Sequence, residues 1–282
     1  LGLSENWVRL PFADELGAVG PVAQEVLCRH GLVWPFNLHF HLPIVKLAPA
    51  GTLVTGFGGD EVARASRALY AERLIARRSI RRPHDLAVLG LRRAPTPIRF
   101  ATYLSRNRDF CADRLWLTQR GMAALRVADA VDLAAVPLGW SRVLRDWLWR
   151  ARYVRICIEN FQVMSSAFDV RTLHPFLAAP VLQALAEAAP LSGVANRADL
   201  IRRLGGDLLP PELVTRRSKG AFTSPLWTDD AIEFARSWSG HGLDERFVDS
   251  ERVRAEWLKP DRSLMATSLL QAAWLADNRR DD

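Results

Sequence analysis

The chain has 282 residues, 49% of them hydrophobic, and a formal net charge of +7. That length and apolar content exclude a disordered or fibrous chain and allow one large domain, or two ordinary ones, with a substantial core. The charge is carried by arginine, since Lys46, Lys219 and Lys259 are the only lysines; anionic ligands and high-GC codon usage both fit that bias.

Cys28, Cys111 and Cys157 are odd in number and widely spaced, so neither a disulfide framework nor a zinc cluster is indicated, and a reducing cytoplasm fits. No run reaches the roughly 18 apolar residues of a membrane span, and no charged-then-apolar signal opens the chain. The pattern starts mid-course at Leu1, as expected of a piece of a longer protein.

Taken in chain order, Val22 to His30 is amphipathic, and "WPFNLHFHLP" (34–43) is aromatic and histidine-bearing. His39 and His41 share a face only in a strand, and with no third ligand nearby, packing or a pocket wall is expected rather than a metal site. "GTLVTG" (51–56) predicts a short buried strand, its β-branched residues bounded by glycine. From Glu61 to about Leu91 the pattern is helical and basic, with Arg77, Arg78, Arg81 and Arg82 before Pro83. Without interleaved aromatics or a known module, this is expected to be a solvated face, not a nucleic-acid patch.

"LRRAPTPIR" (91–99) is punctuated by proline and reads as the internal linker, dividing 1–95 from 96–282. Beyond it Leu144, Trp147, Leu148, Ala151 and Val154 recur at three and four, as do Val181, Leu182, Leu185 and Ala188, while prolines 175, 190, 210, 211 and 225 mark element ends. Ser263 to Asp277 predicts a last amphipathic helix. Tryptophans 147, 149, 238, 257 and 274 fall within helical patterns, where core or groove packing is expected. The whole reads as a small α/β piece followed by a larger α-helical region.

Chemistry concentrates in "GTLVTGFGGDE" (51–61), a strand ending in Gly56, Gly58 and Gly59 and then Asp60 and Glu61. One reading is a tight turn with a solvated acid pair. The other is a ligand site beyond a strand's carboxyl end, where successive amides face an anion and Asp60 holds Mg²⁺ through oxygen. A second signal lies in "LLPPELVTRRSKGAF" (208–222), where Lys219 is one of three lysines in a chain that otherwise uses arginine. A lysine's compact, movable charge can follow a developing oxyanion; arginine's planar fork is less free to do so.

Three segments in order, "GTLVTGFGGDE", "FDVRTLHPFLAAPVLQALAEAAP" (168–190) and "NRADLIRRLGGDLLPPELVTRRSKGAFTSP" (196–225), resemble the synthetase domain of the asparagine synthetase family. That family shows a strand ending in Gly-Gly-Asp-Glu, a Pro-Phe-Leu segment opening a helix, and a Leu-Pro element leading to Arg-x-Lys-x-x-Phe. It includes asparagine synthetase, β-lactam synthetase and the cyclases that close lasso peptides. The resemblance implies that 1–95 is the C-terminal part of a parallel-sheet adenine-nucleotide domain of the PP-loop type, followed by the mainly helical 96–282. It assigns Gly56, Gly58, Gly59, Asp60 and Glu61 to the nucleotide, Asp60 to Mg²⁺ near the ATP pyrophosphate, and Lys219 to the acyl-adenylate. The implied chemistry activates a carboxylate with ATP, releases pyrophosphate, and lets an amine displace AMP. Small-molecule or peptide substrates, a separate leader-peptide-binding or amidotransferase component, no nucleic acid, no membrane and a cytoplasmic location go with it.

The departures carry weight too. The family's nucleotide loop, Ser-Gly-Gly-x-Asp-Ser, does not occur in these residues, so this stretch alone is expected to be inactive and to bind ATP·Mg²⁺ weakly. Phe57 stands where asparagine synthetase has an acid and β-lactam synthetase a tyrosine, and it cannot take a proton. Ala178 replaces the usual aspartate after Pro-Phe-Leu, and Arg217 and Ser218 make the lysine segment irregular. Glu159 and Asp169 are alternative acids, each expected to be an ordinary surface or capping residue. Three functions follow as expectations: an amide ligase like asparagine synthetase, a lasso-type macrolactam cyclase, and an inactive homologue that binds a peptide or partner.

Overall fold

The computed structural model describes residues 7–11, 14–68, 70–77, 82–106, 114–188, 191–194, 197–206, 208–215 and 226–279. Helix α1 (Pro21–His30) starts with proline in its first turn, where a missing N–H costs nothing, and ends at Gly31 with φ 73°. Leu38–His41 form a 3₁₀ turn that runs into α2 (Leu42–Lys46). His39 and His41 are therefore on a helical turn and not on a strand. His39 Nε2 lies 3.0 Å from Leu16 O, and the His41 ring packs edge-on against Phe161, so both take the packing role.

Strand β1 (Thr52–Val54) follows, then α3 (Gly59–Ala68), α4 (Tyr70–Arg77), α5 (Pro83–Arg93), α6 (Thr96–Arg106) and α7 (Gln119–Ala135). After the short α8 (Trp140–Arg142) and α9 (Arg152–Ser166), strand β2 (Arg171–Leu173) leads through a 3₁₀ turn at Pro175–Leu177 into α10 (Ala179–Ala188). Helices α11 (Arg197–Gly205), α12 (Pro211–Thr215), α13 (Asp229–Ser237), α14 (Ser250–Trp257) and α15 (Thr267–Asn278) complete the described chain. The α/β expectation holds in reduced form: among the described residues, one parallel strand pair stands among many helices.

The two strands pair in parallel with Thr52 opposite Arg171, Leu53 opposite Thr172 and Val54 opposite Leu173. A parallel pair needs a long crossover, and here α3 to α9 supply it. One face is buried, because Leu53 packs on Val26, Leu38, Val45, Phe161 and Met164. On the other face Val54 is 62% and Leu173 48% exposed, unlike the covered faces usual for parallel strands.

Two larger cores flank this one. Val62 and Leu177, just beyond the strand ends, share a core with Trp140, Leu144, Leu148, Val154 and Leu182. Ala18 and Leu27 join Trp116, Leu226, Trp238, Trp257 and Leu270 in the other. Trp238, Trp257 and Trp274 are buried as expected, Trp147 is half-buried, and Trp149 is 45% exposed.

The helix predicted through Leu144 to Val154 is interrupted. A π-turn at Val143–Trp147 and a 3₁₀ turn at Leu148–Arg150 precede α9, yet Leu144, Leu148 and Val154 still face one core. Nor is 91–99 a spacer: α5 and α6 nearly abut, and Arg92 and Arg99, both 8% exposed, turn inward. Both guanidiniums donate to Val136 O, at 3.1 and 2.6 Å, and Arg92 pairs with the fully buried Glu72 at 2.8 Å.

Candidate functional site

The Gly-Gly-Asp-Glu turn and the Pro-Phe-Leu segment sit together at the carboxyl end of the strand pair. Beyond Val54 the chain turns at Gly56–Gly58 and enters α3 at Gly59, with Asp60 and Glu61 in the helix's first turn. Beyond Leu173 the neighbouring strand turns at His174 and enters α10 through Pro175–Leu177. Two adjacent strands thus deliver two helix N-termini at one end of the sheet, where exposed N–H groups and the helix dipoles favour an anion.

The glycines have a structural cause. Gly58 has φ 89°, and a Cβ there would lie 2.5 Å from Leu177 Cγ. A Cβ on Gly59 would meet the Phe176 ring at 3.4 Å. The close approach that glycine permits is thus to the Pro-Phe-Leu segment, whose side chains occupy that side of the turn. Gly56 is exposed and has open space around it.

The two acids face different surroundings. Asp60 is half-buried at the head of α3. Glu61 lies against α9, where its carboxylate, together with burial as the larger cause, pushes the Cys157 thiol up to about 12. Among the described residues no three His, Cys, Asp or Glu side chains come together to hold a metal. One carboxylate suffices for Mg²⁺, which keeps several waters and takes its other ligands from substrate phosphates. The donor set at Asp60 therefore fits a nucleotide-borne magnesium and does not fit a protein-caged one.

Lys219, with Arg217 and Ser218, lies outside the described residues. Before that segment, α11 packs on α3, and α12, which ends at Thr215, packs on α11. Of the alternative acids, Glu159 is exposed and 3.6 Å from Arg155, and Asp169 precedes β2, at the opposite end from the site. Phe57 is a packing residue, its ring 5.6 Å from that of His174 and its side chain against the core of Val62 and Leu177. Ala178 heads α10, where its carbonyl accepts from Leu182 N–H, and it offers no carboxylate.

Two participants were not singled out from sequence: Thr55, which reads as one more β-branched strand residue, and His174. Thr55 Oγ1 is 2.6 Å from His174 Nδ1 and accepts from Phe57 N–H at 3.2 Å. Burial lowers the His174 pKa, which favours the neutral ring. The one available signal was position, since His174 directly precedes Pro-Phe-Leu.

The fold is mostly helical with a small parallel strand pair, and both strand-to-helix turns lie at the carboxyl ends of those strands. The chain belongs to the asparagine synthase family, whose model matches residues 45–277. Searches of curated proteins and of solved structures gave no match. Membership carries ATP-dependent amide-ligase chemistry as the family's general theme.

Proposed function

We propose that the chain carries the carboxylate-activating part of an ATP-dependent, AMP- and pyrophosphate-forming amide ligase. One observation supports this above the others: strands 119 residues apart bring the Gly-Gly-Asp-Glu turn against Pro-Phe-Leu at one sheet end. In this reading Asp60 holds Mg²⁺ on the pyrophosphate of ATP, the first turn of α3 faces phosphate, and Lys219 screens the charge of the acyl-adenylate as the amine attacks. Mg²⁺ would supply charge neutralisation on the leaving pyrophosphate. The rest of a PP-loop nucleotide site, including a Ser-Gly-Gly-x-Asp-Ser loop, would pack on the face that carries Val54 and Leu173. Residues 1–282 alone would then bind ATP weakly.

Within the class, a lasso-type peptide macrolactam cyclase is favoured over an asparagine-forming enzyme by Phe57 and Ala178. Both positions lack a proton acceptor, and an amine held on the same molecule as the carboxylate needs less help. A peptide substrate, a separate leader-peptide-binding or amidotransferase component and a cytoplasmic setting belong to this proposal. Cys28 and Cys157 are free thiols, and among the described residues no helix is long and apolar enough to cross a membrane.

The test is pyrophosphate release from ATP·Mg²⁺ by the natural full-length protein, offered free aspartate and peptides bearing both a carboxylate side chain and a free amine. Lys219→Ala should lower turnover by about 10² or more, the scale for one preorganised electrostatic contact, with ATP affinity changed far less. Asp60→Asn should raise the magnesium concentration required. Lys219→Arg keeps the charge but not its geometry, and should be poorly active. Release at the parental rate in all three variants would move the protein to the peptide- or partner-binding reading.

A further inference from the structure

His174 does more than a packing residue needs to do. Its ring lies between Phe57, at 5.6 Å, and Phe161 of α9, at 5.8 Å between centroids. A phenylalanine would fill such a slot without polar cost. Instead Nδ1 meets the Thr55 hydroxyl at 2.6 Å, while Nε2 is buried with no hydrogen-bond partner among the described residues. The Thr55 oxygen already accepts from Phe57 N–H. If its hydroxyl donates to Nδ1, the ring proton sits on Nε2 without an acceptor; if Nδ1–H donates instead, Nε2 is a bare acceptor without a donor. Either tautomer leaves a buried polar atom unsatisfied, so the imidazole costs stability at one end for a bond made at the other.

What that bond holds is the acidic turn. Thr55 closes the backbone at Phe57, and the residues after His174 place Leu177 and Phe176 directly against Gly58 and Gly59. Gly59 N–H donates to Gly56 O and Val62 N–H to Gly58 O, so the first turn of α3 is built on the same Gly58 and Gly59. We infer that His174 and Thr55 form a latch between the two strand-to-helix turns that positions the Asp60 carboxylate at the head of α3. His174 is thus a positioning residue, acting through the turn and not on substrate. The inference rests on the ligase reading only for what Asp60 then binds.

The latch is tested by amide hydrogen exchange on the same protein without ligand. Thr55→Val removes the hydroxyl and keeps the shape; His174→Phe keeps the ring and removes Nδ1; His174→Asn returns a polar atom at the Nδ1 position. Thr55→Val and His174→Phe should each speed exchange at Phe57, Gly59 and Val62 by about tenfold, the scale of one net hydrogen bond, and together by little more. Amides of α14 and α15 should keep their protection, and His174→Asn should restore part of the loss. Unchanged exchange in the turn would overturn the latch, as would a rise spread equally over α14 and α15. Titration with magnesium pyrophosphate separates the two readings. Weaker binding in the latch variants, partly rescued by His174→Asn, supports positioning of Asp60; equal affinity in all variants overturns it. Wild-type protein that binds no magnesium pyrophosphate counts against the ligase reading, while the exchange result still decides the latch.

Discussion

At Gly58 a backbone constraint and a packing constraint coincide. Its φ of 89° is a region that L-residues enter at a cost of about 1–2 kcal/mol, and a Cβ would overlap Leu177, with overpacking adding about 1–3 kcal/mol. Gly58→Ala should therefore destabilise the protein by about 2–5 kcal/mol, read as a lower urea midpoint at unchanged slope. Gly56→Ala meets open space and should stay within about 0.5 kcal/mol. Equal effects at the two positions would show that Leu177 and the turn move apart easily. The glycine pattern was legible in the sequence as a turn or a phosphate cradle, but its cause was not, because Leu177 lies far away in the chain. Phe57 shows the same limit: it reads as a missing acid, whereas in three dimensions it is one wall of the His174 slot.

Among the elements, strand β1 stands where glycine boundaries and β-branched residues put it, but it is buried on one face only and not as the buried strand expected, with Val54 62% exposed. What spacing does not disclose is how a segment is anchored. The proline-rich 91–99 has the composition of a linker, yet its two flanking arginines are among the most buried charges of the described chain. Glu72 accepts from Arg92 and from Gly139 N–H, at 2.8 and 3.2 Å, so α4, α5 and the α7–α8 connection meet on one carboxylate. Arg99 reaches the same connection through Val136 O. Removing one partner of a buried pair leaves the others uncompensated, so Glu72→Ala should cost about 3–5 kcal/mol in urea unfolding. The double substitution Glu72→Leu with Arg92→Met removes both charges and should cost less than Glu72→Ala alone. A Glu72→Ala cost below about 1 kcal/mol would mean that solvent reaches the cluster, as it does at surface pairs.

At the scale of the whole molecule, the cores join residues from both ends of the chain. Gln271 of α15 donates to Ala18 O and Phe36 O, at 3.0 and 2.9 Å, and Ala18 N–H donates to Leu226 O at 2.7 Å. Such pairings have no local signature, so the helical content could be read from the sequence while the arrangement of the cores could not. The same packing encloses His39, 2% exposed, and half-buries His41. For both, desolvation outweighs the hydrogen bonds to backbone carbonyls and lowers the pKa below its ordinary 6.5. In the unfolded chain they take up protons near 6.5, while in the folded chain they resist until the pH is lower. Between those values the unfolded state binds more protons, so their contribution to stability is complete above 6.5 and is lost as pH falls through the folded values. The slope for each histidine can reach about 1.4 kcal/mol per pH unit. Asp129, whose pKa burial raises above 3.8, has the opposite sign, because its contribution is lost as pH rises through its folded value. Its offset therefore belongs to the more acid end of the profile. Urea unfolding from about pH 7.5 down to about pH 5 should show stability level at first and then declining below 6.5. His39→Gln with His41→Gln should lessen that decline, leaving the share of His174 and His30, whose pKa burial also lowers, even if it lowers stability throughout. A wild-type profile level across the whole range would mean that both imidazoles protonate as freely in the folded core as in water.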